Sequence, residues 1–551
     1  MRSLGSLGRL FTRINALHLV LGLGGSVGLV TSATGCRVDE QDLARWETTQ
    51  RGPDKISSVI IHDKYDMNLR VEAALSLVRM PARGGRFVGI DILTKSLAAT
   101  NAGERDKIVA GLVPAIVGEL KKDPPAAQAG QPAPPDPSFP FKDTSFALLT
   151  AENPVLVTDE KLRADLRQAL IDWSMKDFER RLENRNQKTG MEQLMRFLGA
   201  DGVKGLPDKI TRESRQLDKI AALVDELGTP STREAASAKY VEIARWVVTQ
   251  QWLDAKKPIV EAANSSLPKP PTADEFKAQL ETYQDEEFAR LLGALKRVGG
   301  RAAIDFCLEY GADAKNKKER RMFALAALEL RLDPKNSEDI KRVFAIATSD
   351  APAEVLDLAF RRIGEMPREA VIDRLYEAFK LETKWKVRRS AASIVLKMAS
   401  EPKHLEEFFG KLPADKDPKN FARGEAINYG AMVGDLTTIK PADMRKLVDK
   451  YLPEPAPLTQ RVTAASYYLV HGTPEDIKTL TPFELDKMAL PVCDPPDEDC
   501  KWSCYVPKEA KPSESELREI KTFGEYVKLC VGPGITDRAK AKQEQESKEK
   551  K

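Results

Sequence analysis

Apolar residues recur at helical spacing along most of the chain, and the stretch from Val387 to Met398 shows the pattern most plainly. On a helix, Val387, Ala391, Ile394, Val395 and Met398 share one face, while Lys386, Arg389, Ser390, Ser393 and Lys397 share the other. The central pair Ala391 and Ala392 lets a second helix approach closely at little cost in helix propensity. The same phrase starts with Arg, has Ala three residues on, then a small or apolar residue and large apolar ones. It reads Arg388 with Ala391 and Ala392, Arg70 with Ala73 and Ala74, and Arg461 with Ala464 and Ala465. Arg233, Arg321 and Arg423 open looser copies, and Leu356 to Phe360 keeps the apolar frame without the Arg. From Arg321 the starts fall at 321, 356, 388, 423 and 461, a step that predicts stacked helical hairpins.

These residues resemble the HEAT and HEAT-like repeats, whose second helix reads Asp, two residues, Val or Leu, Arg, two residues, Ala, Ala. Asp66, Leu69, Arg70, Ala73 and Ala74 carry the whole phrase, whereas Lys384 stands at the Asp place before Val387 and Arg388, with Thr383 available as the N-cap. The resemblance covers 290–475 well, 42–80 as an isolated copy, and 155–260 thinly. It implies an all-α chain folded as an α-solenoid of stacked hairpins. Two functions follow from it: a scaffold that binds a protein partner, or an enzyme of the lyase or glycosylase kind that uses the solenoid as a cradle.

The ends and breaks divide the chain. Residues 1–35 hold Arg2, Arg9 and Arg13, no acidic residue, and an apolar Gly-rich run from Ile14 to Val30, the layout of a signal peptide. Ala33-Thr34-Gly35-Cys36 resembles a bacterial lipobox, with Ala33 where Leu is usual, which implies a lipid on Cys36 and an envelope protein facing the periplasm or cell surface. The rivals are an ordinary signal peptide and an uncleaved anchor, for which this run is short and rich in glycine. Gly24 to Gly28 spells GxSxG, but a nucleophile elbow needs a strand before the Ser and a helix after it, and a leader offers neither.

Helical hairpins are expected over 36–122, with Trp46 as an anchor. The Pro-rich segment 123–140 reads as an exposed linker. An atypical helical region follows over 141–285, including one long helix capped by Thr158 and Asp159 and running to about Asn186. The repeats occupy 286–475, an irregular cap 476–531, and a disordered tail 532–551.

Charge narrows the partners. Removing the leader's three arginines leaves 83 basic residues against 83 acidic. That balance lacks the basic excess that displaces counterions from nucleic acid, so no nucleic-acid partner is expected.

Cys493, Cys500, Cys504 and Cys530 collect in the cap, but their gaps are not those of paired CxxC zinc knuckles. In an exported chain they predict two disulfides of unassigned pairing, stapling the cap to the last hairpin, with zinc as the alternative. Cys307 lies on an apolar stripe and is expected to pack. His62, His404 and His471 are far apart and lack ligand spacing, so no metal, cofactor or catalytic residue is assigned. A scaffold tethered through Cys36 is the favoured reading, and an enzyme with its site within 140–285 the other.

Overall fold

The computed structural model describes residues 38–126, 134–265, 267–378, 380, 384–412, 421–490, 501–508 and 511–549. Two compact bodies result, one formed by the residues up to Glu119 with Asp143–Arg163, the other by Leu120–Lys142 with Ala164 onward.

The first body starts with α1 (Glu40–Trp46), α2 (Gly52–Ile61), α3 (Met67–Arg79) and α4 (Val88–Ala99). These four pack together around Leu43, Ile56, Ile60, Leu77 and Leu93, all fully buried. The Asp66 carboxylate caps α3 by accepting from Leu69 N at 2.9 Å, the role its phrase predicts. Next come α5 (Ala102–Lys121) and α6 (Phe139–Thr150).

In the second body the expected long helix is broken in two, α7 (Glu160–Met175) and α8 (Phe178–Glu183). Asp177 between them has φ 48°, a left-handed conformation that a continuous helix does not admit. Then follow α9 (Met191–Leu198), α10 (Ala200–Val203), α11 (Leu217–Leu227), α12 (Pro230–Val247), α13 (Gln250–Asn264) and α14 (Ala273–Val298). Thr272 and Glu275 close a reciprocal capping box on α14.

The regular stack comprises α15 (Arg301–Ala312), α16 (Lys318–Ala327), α17 (Ser337–Ala347), α18 (Ala353–Gly364), α19 (Arg368–Glu377), α20 (Trp385–Lys397), α21 (Pro402–Lys411), α22 (Arg423–Gly434), α23 (Pro441–Asp449) and α24 (Leu458–His471). Helices α14, α16, α18, α20, α22 and α24 each pack on the next, forming one continuous layer, while α15 packs on α17 and α21 on α23 in the other. Stacking of this kind buries faces that a lone hairpin would leave wet. The second body is therefore a HEAT-like α-solenoid, and all five starts read from the sequence fall in its even-numbered layer. Prolines sit at the entries, Pro352 and Pro367 before α18 and α19 and Pro402 in the first turn of α21, where a missing N–H costs nothing.

One close approach is tight enough to test. Helices α22 and α24 pack most extensively, and a Cβ added to Gly430 would fall on the backbone of Ser466 and Tyr467. Gly430→Ala is expected to cost about 2 kcal/mol despite a gain of about 1 kcal/mol in helix propensity. Hydrogen exchange of α22 and α24 measures this, and an unchanged or more stable variant would contradict the packing.

The Cys-containing C-terminal cap is made of short pieces: α25 (Ile477–Leu480) precedes an antiparallel pair, β1 (Ser503–Lys508) with β2 (Lys511–Glu519), and then α26 (Phe523–Glu525) and a π-helical turn, Tyr526–Val531. The polar segment after 531 is helical as α27 (Gly532–Glu549) rather than disordered. Its anchor is local: Ile535 is fully buried, and Arg538 donates to the terminal carbonyls of α24 at Leu469 and Gly472.

Candidate functional site

The repeat residues occupy one structural place. Arg70, Arg321, Arg388 and Arg461 are each the fourth residue of their helix and each nearly fully buried, and Ala73, Ala74, Ala391, Ala392, Ala464 and Ala465 are completely so. Three of these arginines cap the preceding helix or its exit: Arg70 donates to Ile60 O at 3.0 Å, Arg321 to Gly311 O at 2.9 Å and Arg461 to Leu452 O at 2.7 Å. A guanidinium there satisfies carbonyls that no helical N–H reaches and meets the negative end of the dipole. Arg233, fourth in α12, likewise reaches Asp225 O. Arg423 departs from the scheme, since it opens α22 and leaves Ala426 at the fourth place.

The guanidinium's other arm was not legible in the sequence. Arg70 pairs with Glu104 at 2.6 Å, Arg388 with Glu425 through two 2.8 Å bonds, and Arg461 with Asp486. The carboxylates come from beyond the next helix, Glu104 from α5, Glu425 from α22 and Asp486 from the segment after α25, so the arginine ties one hairpin to the next. A regular offset of acid after Arg is the only signal that could have found them, and it varies too much to stand out. Burial of the Arg388 pair lowers the guanidinium's affinity for its proton, yet the bond to Glu425 outweighs this and raises its pKa.

Of the cysteines, Cys504 and Cys530 form a disulfide, while Cys493, Cys500 and the lipidation candidate Cys36 lie outside the described residues. Cys307 is buried on α15 and its thiol is pushed up to about 12 by desolvation, so it packs and does not react. Thr463, between the repeat positions Arg461 and Ala464, is completely buried, and the cap packs on α24. There Tyr526 Oη lies 2.8 Å from Ser466 Oγ, and burial pushes the phenol up to about 12.

The end of the Pro-rich segment, residues 136–140, is docked where an exposed linker was expected, while residues 127–133 of it lie outside the described residues. Asp136 accepts from Arg181 Nε at 3.0 Å and Nη2 at 2.8 Å, Trp173 Nε1 donates to Ser138 Oγ at 2.7 Å, and Phe139 meets Trp173 edge-on. Burial works against the Asp136 carboxylate, but hydrogen bonds from Ser138 and Arg181 hold it below the ordinary range. Lys142 is fully buried and donates to Gln187 Oε1 at 2.8 Å and to Thr189 O. This ionisable cluster lies where an enzyme site was sought, yet its groups are committed to one another.

His471 faces Ala431 O at 2.9 Å and His404 Nδ1 accepts from Ser400 N at 3.2 Å, both helix-end contacts. Among the described residues no group of three His, Cys, Asp or Glu side chains is placed to hold a metal ion.

Among the described residues of the second body, two of the cavities are lined by charged and aromatic side chains. One of about 250 Å³ is lined by Arg245, Phe306, Glu309 and Tyr310, and there Arg245 is already paired to Glu309 at 2.7 Å. The other, of about 240 Å³, lies among α11, α12, α13 and α14. Trp252 is almost completely buried at its base, with Tyr283 against it at 5.1 Å, and Trp246 forms a wall. Arg212 stands 5.0 Å from the Trp246 ring and Lys256 5.9 Å from that of Trp252, at cation–π distance. These residues lie in the atypical region, where the sequence named no site residue.

No family model matches the chain, and no curated protein matches it. Nineteen solved chains do. Kap121p bound to Nup53p aligns with 81% of this chain and 43% of its own at 11% identity and a TM-score of 0.27, so the chain spans less than half of that protein. Kap95p with RanGDP aligns over 81% and 66% at 10% identity and a TM-score of 0.20. A microtubule polymerase with Tumor Overexpressed Gene domain arrays aligns over 80% and 93% at 13% identity and a TM-score of 0.20. Likenesses this distant carry no argument about function.

Proposed function

We propose that this chain is a non-enzymatic, protein-binding scaffold of a bacterial envelope, tethered to the membrane by a lipid on Cys36. The observation that supports the scaffold reading is where the buried charge goes. Arg70, Arg388, Arg461 and Arg181 all end on carboxylates of other elements, so buried charge fixes the register of the stack and is not held ready for proton transfer. A stack of hairpins presents a long surface with little cost per added contact, which suits binding an extended partner. The leader and the Gly35-Cys36 junction support the tether. No helix among the described residues is long and apolar enough to cross a membrane.

Expression in a bacterium fed an alkyne-bearing fatty acid tests the tether. The wild-type chain is expected to incorporate the label and Cys36→Ala to lose it, and an unlabelled wild-type chain would overturn this part. Photo-crosslinking residues placed along the even-numbered helices test the scaffold in the same cells. A discrete adduct from adjacent positions is expected, and a stack that gives none at any position would overturn that reading.

A further inference from the structure

We propose that the cavity over Trp252 is a socket for one apolar or aromatic side chain of a partner, held by carboxylates that flank that side chain in the partner's sequence. The inference rests on the scaffold reading and names the chemistry of the partner segment. Its base is aromatic and buried: Trp252 is 1% exposed and Tyr283 packs on it. The rim carries four cations, Arg212, Arg215, Lys256 and Arg290, against two carboxylates, Glu287 and the exposed Glu213, and its charges are not equally spent. Arg290 is satisfied by Glu287 at 2.6 Å and Asp218 at 3.1 Å, and Arg215 faces Glu183 at 3.9 Å. Arg212 lies over the Trp246 ring and Lys256 over that of Trp252, and neither forms an ion pair among the described residues.

Two uncommitted cations above an aromatic base thus fit an anion that brings its own apolar anchor. A volume of about 240 Å³ falls below the roughly 300 to 1,000 Å³ of clefts that enclose small-molecule ligands, but suits one inserted side chain. Single anchors in desolvated pockets with a polar rim are how a few residues come to dominate a protein interface. Single-stranded nucleic acid fits less well, because it needs a track of exposed ring faces for successive bases, and of the two indoles here Trp252 is buried and Trp246 is partly exposed.

The test uses the purified full chain and a fluorescein-labelled heptapeptide whose central Phe is flanked on both sides by Glu and Asp, read by anisotropy. Saturable binding is expected. It should weaken at least about tenfold when the peptide's Phe becomes Ala, when its carboxylates become amides, and in an Arg212→Glu/Lys256→Glu variant. Arg212 is exposed and Lys256 half-buried, so this variant should keep its fold, and Arg361→Glu on exposed α18 surface should bind as wild type. Added salt should weaken binding by screening the rim. No binding, equal binding of the amide peptide, an unaffected double variant, or tighter binding of labelled oligothymidylate would each overturn the proposal. None of these results touches the in-cell cross-linking that tests the scaffold reading.

Discussion

Arg388→Met is expected to destabilise the stack at α20 and α22 by about 3 to 5 kcal/mol, the cost of breaking a buried ion pair by removing one partner. Both groups are out of water, Arg388 at 1% and Glu425 at 0% exposure. Glu425 accepts two 2.8 Å bonds from the guanidinium, one from Ala422 N at 2.9 Å and one from Tyr429 Oη at 3.0 Å. Methionine fills much of the arginine's volume but leaves the carboxylate as a buried charge with only neutral donors. The loss is therefore one of charge compensation more than of packing.

A second variant separates the two. Arg388→Met/Glu425→Gln removes both charges and keeps an amide oxygen for Ala422 N, so it should recover at least about half of the loss. Local opening free energies from hydrogen exchange of α20 and α22 check this, because a stack unfolds in neighbouring units. A loss below about 1 kcal/mol, or a double variant no better than the single one, would show that the pair does not hold the register. The α3 hairpin, which belongs to the other body, should be unaffected.

Breaking the cap's covalent tie is the other large effect. Cys504 on β1 and Cys530 on the π-helical turn are 26 residues apart, and closing a loop of that length restricts the unfolded chain by about 3 to 4 kcal/mol. The loop and the residues just before it pack together and onto α24: Trp502 meets Tyr526 edge-on at 5.2 Å, Ile520 N donates to Trp502 O at 2.7 Å, and Tyr526 reaches Ser466. Cys504→Ser/Cys530→Ser should therefore lower the protection of residues 523–531 by about that amount. Peptide mapping without reduction should find the two cysteines joined in the wild-type chain. A cap equally protected without the bond, or a map joining either cysteine elsewhere, would contradict the structure.

Which face of each helix is buried, and the spacing of the hairpins, was written in the sequence. Helical periodicity and a run of small residues are local signals, and Ala391, Ala73 and Ala464 sit where they say. So does the cap on α3, since Asp66 needs only the next turn. The second partner of each buried arginine was not legible, because Glu104, Glu425 and Asp486 are supplied by elements that follow at irregular distances. Nor was the burial of Thr463, the docking of Asp136 and Ser138 onto Arg181 and Trp173, or the helix after residue 531. In each case the pattern states which side of a segment is polar, and only the segment packed against it decides whether that side meets water, a carboxylate or a terminal carbonyl. The aromatic socket is the extreme case: Arg212, Trp246, Trp252 and Tyr283 come from a loop and three helices spread over some seventy residues, and chain order carries no trace of their meeting. Local periodicity thus determined the repeat, and long-range packing decided what each repeat touches.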